Sequence, residues 1–271
     1  MKTRHVKEIA VGAVAPAILI AIWQAAAMLG WVNPQVLPSP LAVSEKWIAY
    51  LLPLQPHTEG SWLAWALSGE LVVDSLGSLY RVVAGFVVGA GLALPLGLAM
   101  GASPRVYAWF NPLLQVLRPI PPIAYIPLSM LWFGLGDPPA VFLIALGAFF
   151  PVLMNTIAGV RHVDGIYLRA ARNLGAGGST MFVRVILPAA VPYILSGVRI
   201  GIGTAFIVVI VSEMIAVNDG LGYRILEARE FFLSDKIMAG MITIGLLGLA
   251  IDVGMNRLNN HLLRWHRGLE N

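Results

Sequence analysis

Few side chains in this 271-residue chain could do chemistry. Gly134-Leu135-Gly136-Asp137 fits the Gly-x-Gly-Asp pattern of intramembrane aspartyl proteolysis, a reaction that needs two carboxylates in one site, one ionised and one protonated. Asp137, however, precedes Pro138-Pro139, no Tyr-Asp pair lies in an apolar segment, and the Gly-x-Ser-Gly of a serine counterpart is absent. With no cysteine, disulfides, thiolate metal sites and cysteine nucleophiles are excluded. No residue cluster reads as a metal centre, and no Gly-x-x-x-x-Gly-Lys-Ser/Thr loop cradles a nucleotide phosphate. The chain is expected to bind no cofactor of its own.

The remaining charged candidates lie in or beside apolar stretches. Arg118 opens Arg118-Pro119-Ile120-Pro121-Pro122-Ile123-Ala124-Tyr125-Ile126-Pro127-Leu128. Prolines this dense cannot continue a helix, because each lacks an amide hydrogen and clashes with the turn before it. Broken backbone at membrane depth is tolerated only inside protein or facing a watery cavity, and such breaks line transport sites. Arg118, Pro119, Pro121, Pro122 and Tyr125 are therefore candidates for a translocation pathway or gate. For Arg118 two readings stay open: an interfacial anchor or a cation facing a path used by anions. Glu213 and Asp252 fall within apolar segments, where exposure to lipid costs about 2.5–3.5 kcal/mol, so both must face protein or water. Arg199, fourteen residues before Glu213, is about 21 Å away along a continuous helix. Glu213 then has a partner on another helix or is protonated, and it joins the gate candidates; a proton-coupling role belongs to the second case.

The elements that position these residues follow from composition. The chain is 58% hydrophobic and 12% charged, outside the range of soluble domains. About 20 apolar residues of helix cross a bilayer, and six segments approach that length, over roughly 9–31, 80–101, 107–133, 139–160, 188–217 and 237–256. With the N-terminus inside, the inner face receives Lys2, Arg4, Lys7, Arg105, Arg161, Arg169, Arg172, Arg184, Arg257, Arg264 and Arg267, against Lys46, Arg224, Arg229 and Lys236 outside. This bias predicts both termini in the cytoplasm, and the net charge of +4 reads as topology, not as nucleic-acid binding. An alternative treats the first segment as a signal peptide, with Ala25-Ala26-Ala27 as its cleavage site, although the apolar run continues to Trp31. Residues 32–79 form an outer segment broken by Pro34, Pro38, Pro40, Pro53 and Pro56, with Trp47, Tyr50, Trp62 and Trp65 suited to the interface. Gly85 with Gly89, Gly97 with Gly101, and Gly197 with Gly201 have the spacing of close helix contacts. No linker is evident, so 1–271 is expected to be one integral membrane domain.

Between the fourth and fifth segments, residues 161–187 form a polar, basic loop. Ala170 and Ala171 favour helix, and Gly175 before Ala176-Gly177-Gly178 permits the positive φ that ends a helix and reverses the chain. Leu187-Pro188 is expected to open the next helix, since proline suits a first turn.

The order Arg169-Ala170-Ala171, three residues, Gly175, nine residues, Val185, one residue, Leu187-Pro188 resembles the cytoplasmic Glu-Ala-Ala loop of permease subunits in ATP-binding-cassette importers. Arg169 stands where that family usually has Glu, and Val185 where it has Ile. The proline-rich stretch with Leu131-Trp132-Phe133-Gly134-Leu135-Gly136 after it, Ser78-Leu79-Tyr80-Arg81-Val82-Val83-Ala84-Gly85-Phe86, Pro95-Leu96-Gly97-Leu98-Ala99-Met100-Gly101 and Gly220-Leu221-Gly222-Tyr223 resemble the taurine, alkanesulfonate and nitrate branch. Leu233-Ser234-Asp235-Lys236 and Leu263-Arg264-Trp265-His266 are most similar to taurine permeases. The resemblance implies a type I importer fold: an all-α membrane protein of six transmembrane helices in the bacterial inner membrane, with a cytoplasmic coupling helix. It implies a set of partners: two cytoplasmic ATPase subunits that hold the ATP and Mg, a second permease copy making a homodimer, and an external substrate-binding protein. Arg169, Ala170, Ala171, Arg172, Leu174, Gly175, Ala176, Leu187 and Pro188 would then couple to the ATPase. The solute would be a small anion, taurine or an alkanesulfonate first, with nitrate, bicarbonate or a vitamin precursor as alternatives. A stand-alone secondary carrier is the other reading, and it leaves the basic loop without a purpose.

Overall fold

The computed structural model describes residues 2–53 and 61–263, so Glu59, Pro56, Arg264, Arg267 and most of the Leu263-to-His266 stretch lie outside the described residues. The helices are α1 (Lys2–Met28), α2 (Pro40–Leu51), α3 (Trp62–Ala66), α4 (Glu70–Ala102), α5 (Pro104–Leu117), α6 (Ile126–Phe133), α7 (Asp137–Arg161), α8 (Gly165–Asn173), α9 (Gly178–Met181), α10 (Leu187–Ala216), α11 (Leu221–Glu230) and α12 (Ser234–Leu262). Among the described residues, four helices are long and apolar enough to cross a bilayer: Glu70–Ala102, Asp137–Arg161, Gly178–Ala216 and Ser234–Leu262. Pro104–Leu117 with Pro122–Phe133 makes a fifth if the bent pair is one span, and Val14–Met28 is a shorter apolar helix.

Two boundaries differ from the sequence expectation, and a third falls where it was expected. First, α4 starts at Glu70, ten residues before the apolar run, because Asp74 and Ser78 are buried with hydrogen-bond partners and do not end the helix. Second, Leu187-Pro188 does open α10, with Pro188 in its first turn, but the helical path starts before it. The helical path begins at Gly178 and passes through a π turn, Phe182–Ile186, in which the Leu187 amide donates to the Phe182 carbonyl. Pro188 has no amide to give the Arg184 carbonyl, and the widened turn accommodates that loss. Third, the segment over 107–133 is two helices at 83°, broken where the prolines require it. Pro121 is extended, Pro122–Tyr125 forms a 3₁₀ turn, and Pro127 sits in the first turn of α6.

The described residues pack as two units, Leu76–Tyr223 with those from Leu246 to Leu263, and those before Leu76 with Arg224–Gly245. In the first unit α7 is the central element. Glycines of α4 and α10 abut it on two faces: a Cβ at Gly89 would lie 2.3 Å from the Ala145 carbonyl oxygen, one at Gly101 2.5 Å from the Val160 Cβ, and one at Gly197 2.6 Å from the Asn155 Cβ. Gly85, Gly97 and Gly201 approach Ile144, Thr156 and Val152 in the same way. The expected pairs of glycines four apart are thus all seated on one helix. The buried apolar residues form two clusters, around Leu143, Ile144 and Val209 and around Met100, Val152 and Leu153.

In the other unit, Ser39 caps α2 by accepting from the Ala42 amide, with Pro40 in the first turn. Gln24 of α1 accepts from the Leu41 amide, and the Trp47 indole donates to Thr243 Oγ1 at 2.9 Å. Arg224 bonds Asp74 at 2.6 Å and Glu227 at 2.9 Å. Burial works against its charge, yet these hydrogen bonds raise its pKa above the ordinary arginine value.

The glycine contacts make a paired prediction. Gly89→Ala should destabilise the purified protein by about 1–3 kcal/mol through overpacking, whereas Gly91→Ala, with nothing within 4 Å of its Cβ, should be neutral or slightly stabilising. Thermal unfolding in detergent compares the two, and equal midpoints would remove the packing argument.

Candidate functional site: a polar cluster, a cavity and an exposed helix

Three arrangements in the unit built on α7 could carry function. The first gathers at the end of α7 that begins with Asp137. Arg81 of α4, 3% exposed, donates from Nε to Asp137 Oδ1 at 2.7 Å, from Nη1 to Glu213 Oε1 at 2.9 Å, and from Nη2 to Asp219 Oδ1. Glu213, fully buried, also accepts from Ser78 Oγ and from the Gly222 amide, each at 2.9 Å. Ser78 Oγ in turn accepts from the Leu221 amide at 3.0 Å. The 217–222 loop is thereby tied to α4 and α10. Its glycines follow from that closeness: Gly220 has φ +98°, a Cβ there would lie 2.6 Å from the Glu213 carboxyl, and one at Gly222 would lie 2.2 Å from the Ile210 carbonyl oxygen.

This cluster answers the question about Glu213. Its partner is on another helix, while Arg199 pairs with Asp252 at 2.8 Å. It also removes the basis for the protease reading, since Asp137 and Glu213 are each bonded to the guanidinium of Arg81 rather than paired with one another. In the sequence Arg81 stands out only as part of the longer Ser78-to-Phe86 motif. An arginine near the start of an apolar helix, with an unmatched glutamate in another, was the signal that would have paired them.

The second arrangement is a cavity of about 370 Å³ beside the proline break. Arg118, Pro121 and Pro122 line it together with Gly147, Asn155 and Thr204 from α7 and α10. Pro119 does not line it, Tyr125 packs against the apolar cluster near Ile126, and Glu213 belongs to the polar cluster. The candidate pathway residues therefore divide among three environments.

The third is the 161–187 loop, at the other end of α7, about 37 Å from Asp137 at 1.5 Å per residue. Asp164 caps α8 by accepting from the Ile166 amide at 2.8 Å. After Asn173 the Ala176 amide donates to the Ala171 carbonyl and the Gly175 amide to that of Arg172, with Gly175 at φ +81°. That is a Schellman ending. No residue of α8 is buried. Ile166, Tyr167, Ala170, Arg169, Arg172 and Leu174 are exposed, Leu174 at 89%, while Leu187 and Pro188 are half-buried at the start of α10.

Removing Arg81 leaves a buried carboxylate without its cation, a loss of about 3–5 kcal/mol. Arg81→Met should therefore sharply lower the unfolding temperature, and Arg81→Met with Glu213→Gln should recover part of it. Asp219→Asn, at a half-exposed partner, should cost about 1 kcal/mol or less. A full-sized loss in Asp219→Asn and none in Arg81→Met would contradict this ranking.

Residues 91–268 match the family model described as binding-protein-dependent transport system inner membrane component. The putative aliphatic sulfonates transport permease protein SsuC of Bacillus subtilis is 38% identical, covering 96% of this chain and 88% of its own. The taurine transport system permease protein TauC of Escherichia coli is 35% identical, over 92% and 87%. The nitrate import permease protein NrtB of Synechocystis is 34% identical, over 89% and 84%. A chain of the MetNI methionine ABC transporter, solved in inward-facing conformations, shares the fold with a TM-score of 0.64 at 17% identity, covering 72% of this chain and 97% of that one. The chain belongs to the binding-protein-dependent inner membrane components and is a permease subunit of an ABC importer.

Proposed function

We propose that this permease carries a small sulfonate-class anion, taurine or an alkanesulfonate, across the bacterial inner membrane, driven by separate ATPase subunits that hold ATP and Mg. The names of its relatives supply the solute class. In this reading the chain crosses the membrane six times with both termini in the cytoplasm, α1 and the bent α5–α6 pair completing the set. Two copies form the path, two ATPases dock beneath, and an external binding protein delivers the solute.

The observation that carries the coupling role is α8: a capped helix with no buried residue and with Ile166, Tyr167 and Leu174 exposed. An apolar face rimmed by Arg169 and Arg172 suits insertion into another protein's groove. Ala170 lets that groove approach the backbone. Arg169 in place of an acid changes the charge offered to the ATPase, and its guanidinium folds back toward Gly165. Closure of the ATPases would move the two loops together and shift the path between inward and outward access. Arg118 beside the cavity would face the anion.

Two experiments test this. Gly175→Val forces a β-branched residue to positive φ, so ATPase recovered with the tagged permease should fall at least tenfold; undiminished recovery counts against docking through α8. Because the chain has no cysteine, Leu174→Cys gives one thiol, expected to react with an impermeant maleimide in inside-out vesicles only. Labelling in right-side-out vesicles would reverse the topology and end the coupling reading.

A further inference from the structure

The cavity at the proline break offers more than a cation. Resting on the importer reading above, we infer that it is a binding site for a small zwitterion, a solute with an oxyanion at one end and an N–H donor at the other, in preference to a plain anion. Each polar group lining it has hydrogen-bonding capacity left to give.

Arg118 supplies only donors, and among the described residues it makes no ion pair that would occupy them. Its planar fork matches a sulfonate or carboxylate. The other polar groups lean the opposite way. Thr204 already gives its hydroxyl hydrogen to the Ile200 carbonyl at 2.9 Å, which leaves its oxygen as an acceptor. Pro151 lies inside α7 and has no amide hydrogen for the carbonyl four residues earlier, so Gly147, which lines the cavity, keeps a carbonyl without its usual helical partner. Asn155 points one amide hydrogen at the Pro151 carbonyl at 2.9 Å, retaining its oxygen and one further N–H.

The acceptors are held in place by packing. Gly197 seats α10 against Asn155, and a Cβ at Gly147 would lie 3.0 Å from a Val208 methyl and 3.6 Å from the Thr204 methyl. A solute without a donor, such as nitrate or ethanesulfonate, satisfies Arg118 but strips water from acceptors that then go unpaired, and sites built this way discriminate against ligands that lack the hydrogen. An ammonium group two carbons from a sulfonate can meet both requirements. The volume, about 370 Å³, falls in the range of small-molecule sites.

Equilibrium binding to the purified full-length permease in nanodiscs tests this with radiolabelled taurine, ethanesulfonate and nitrate. Taurine should bind at least tenfold more tightly than ethanesulfonate. Thr204→Val, which keeps the shape and removes the acceptor, should shrink that ratio to about threefold or less by weakening taurine, while Arg118→Gln should weaken both sulfonates at least tenfold. A wild-type ratio near one, equal weakening of both sulfonates by Thr204→Val, or no measurable binding of any of the three would overturn the inference. The measurement is made on the permease itself, so its failure is distinct from that of the importer reading, which falls if no ATPase co-purifies.

Discussion

Contact between backbones, permitted by glycine on both flanks of α7, is the constraint on which the rest of the larger unit depends. Hydrocarbon gives helices no hydrophobic reason to associate, so their cohesion comes from dispersion at short range and from polar contacts. Glycines of α4 and α10 approach α7 so closely that a single added carbon would collide with its backbone or Cβ atoms. This makes α7 a fixed rod, with Asp137 and the Arg81 cluster at one end and the capped α8 just beyond the other.

The two polar features within the unit contrast in how their charges are met. Arg81 is buried and saturated by three acidic side chains. Breaking one side of such a pair is costly even where forming it adds little net stability, so the cluster specifies where the 217–222 loop sits. Arg118 is exposed, lies where α5 ends, and faces a cavity rather than a carboxylate. A saturated cation fixes structure, whereas an unsaturated one beside open space is available to a solute. Proline shapes both neighbourhoods of that space. It breaks the chain after Arg118 and, as Pro151, frees a carbonyl within a helix that stays continuous. At Pro188 the same missing hydrogen is absorbed by a π turn instead, and the helix runs on from the basic loop into the membrane. The π turn makes α9 and α10 one helical path, which starts a few residues after α8 and leads into the helix that lines the cavity.

Much of this was legible in the amino acids themselves. The helical class, the apolar segments, the break after Arg118, the termination at Gly175 and the pairing of glycines four apart each follow from local chemistry: a missing amide, a missing Cβ, or a run too apolar for water. The family, too, was readable from the spacing of Arg169-Ala170-Ala171, Gly175 and Leu187-Pro188, because that loop is contiguous in sequence. Helix ends were less legible. Asp74 and Ser78 resemble residues of a polar outer segment until their partners are known, and a proline after a glycine-rich loop does not reveal that the helical path begins before it.

Sequence alone determined that this chain is a helical membrane protein of the importer permease family, with a basic loop between two apolar helices, since those properties reside in composition and in short-range spacing. Only the tertiary structure decided that Arg81 rather than Arg199 neutralises Glu213, that all the glycine pairs serve one helix, and that Arg118 shares a cavity with Thr204 and Asn155. Those residues are separated by 132, 86 and 37 positions respectively in the pairs Arg81–Glu213, Arg118–Thr204 and Arg118–Asn155, and nothing in their local neighbourhoods encodes which distant partner the packing of α4, α7 and α10 will bring to them.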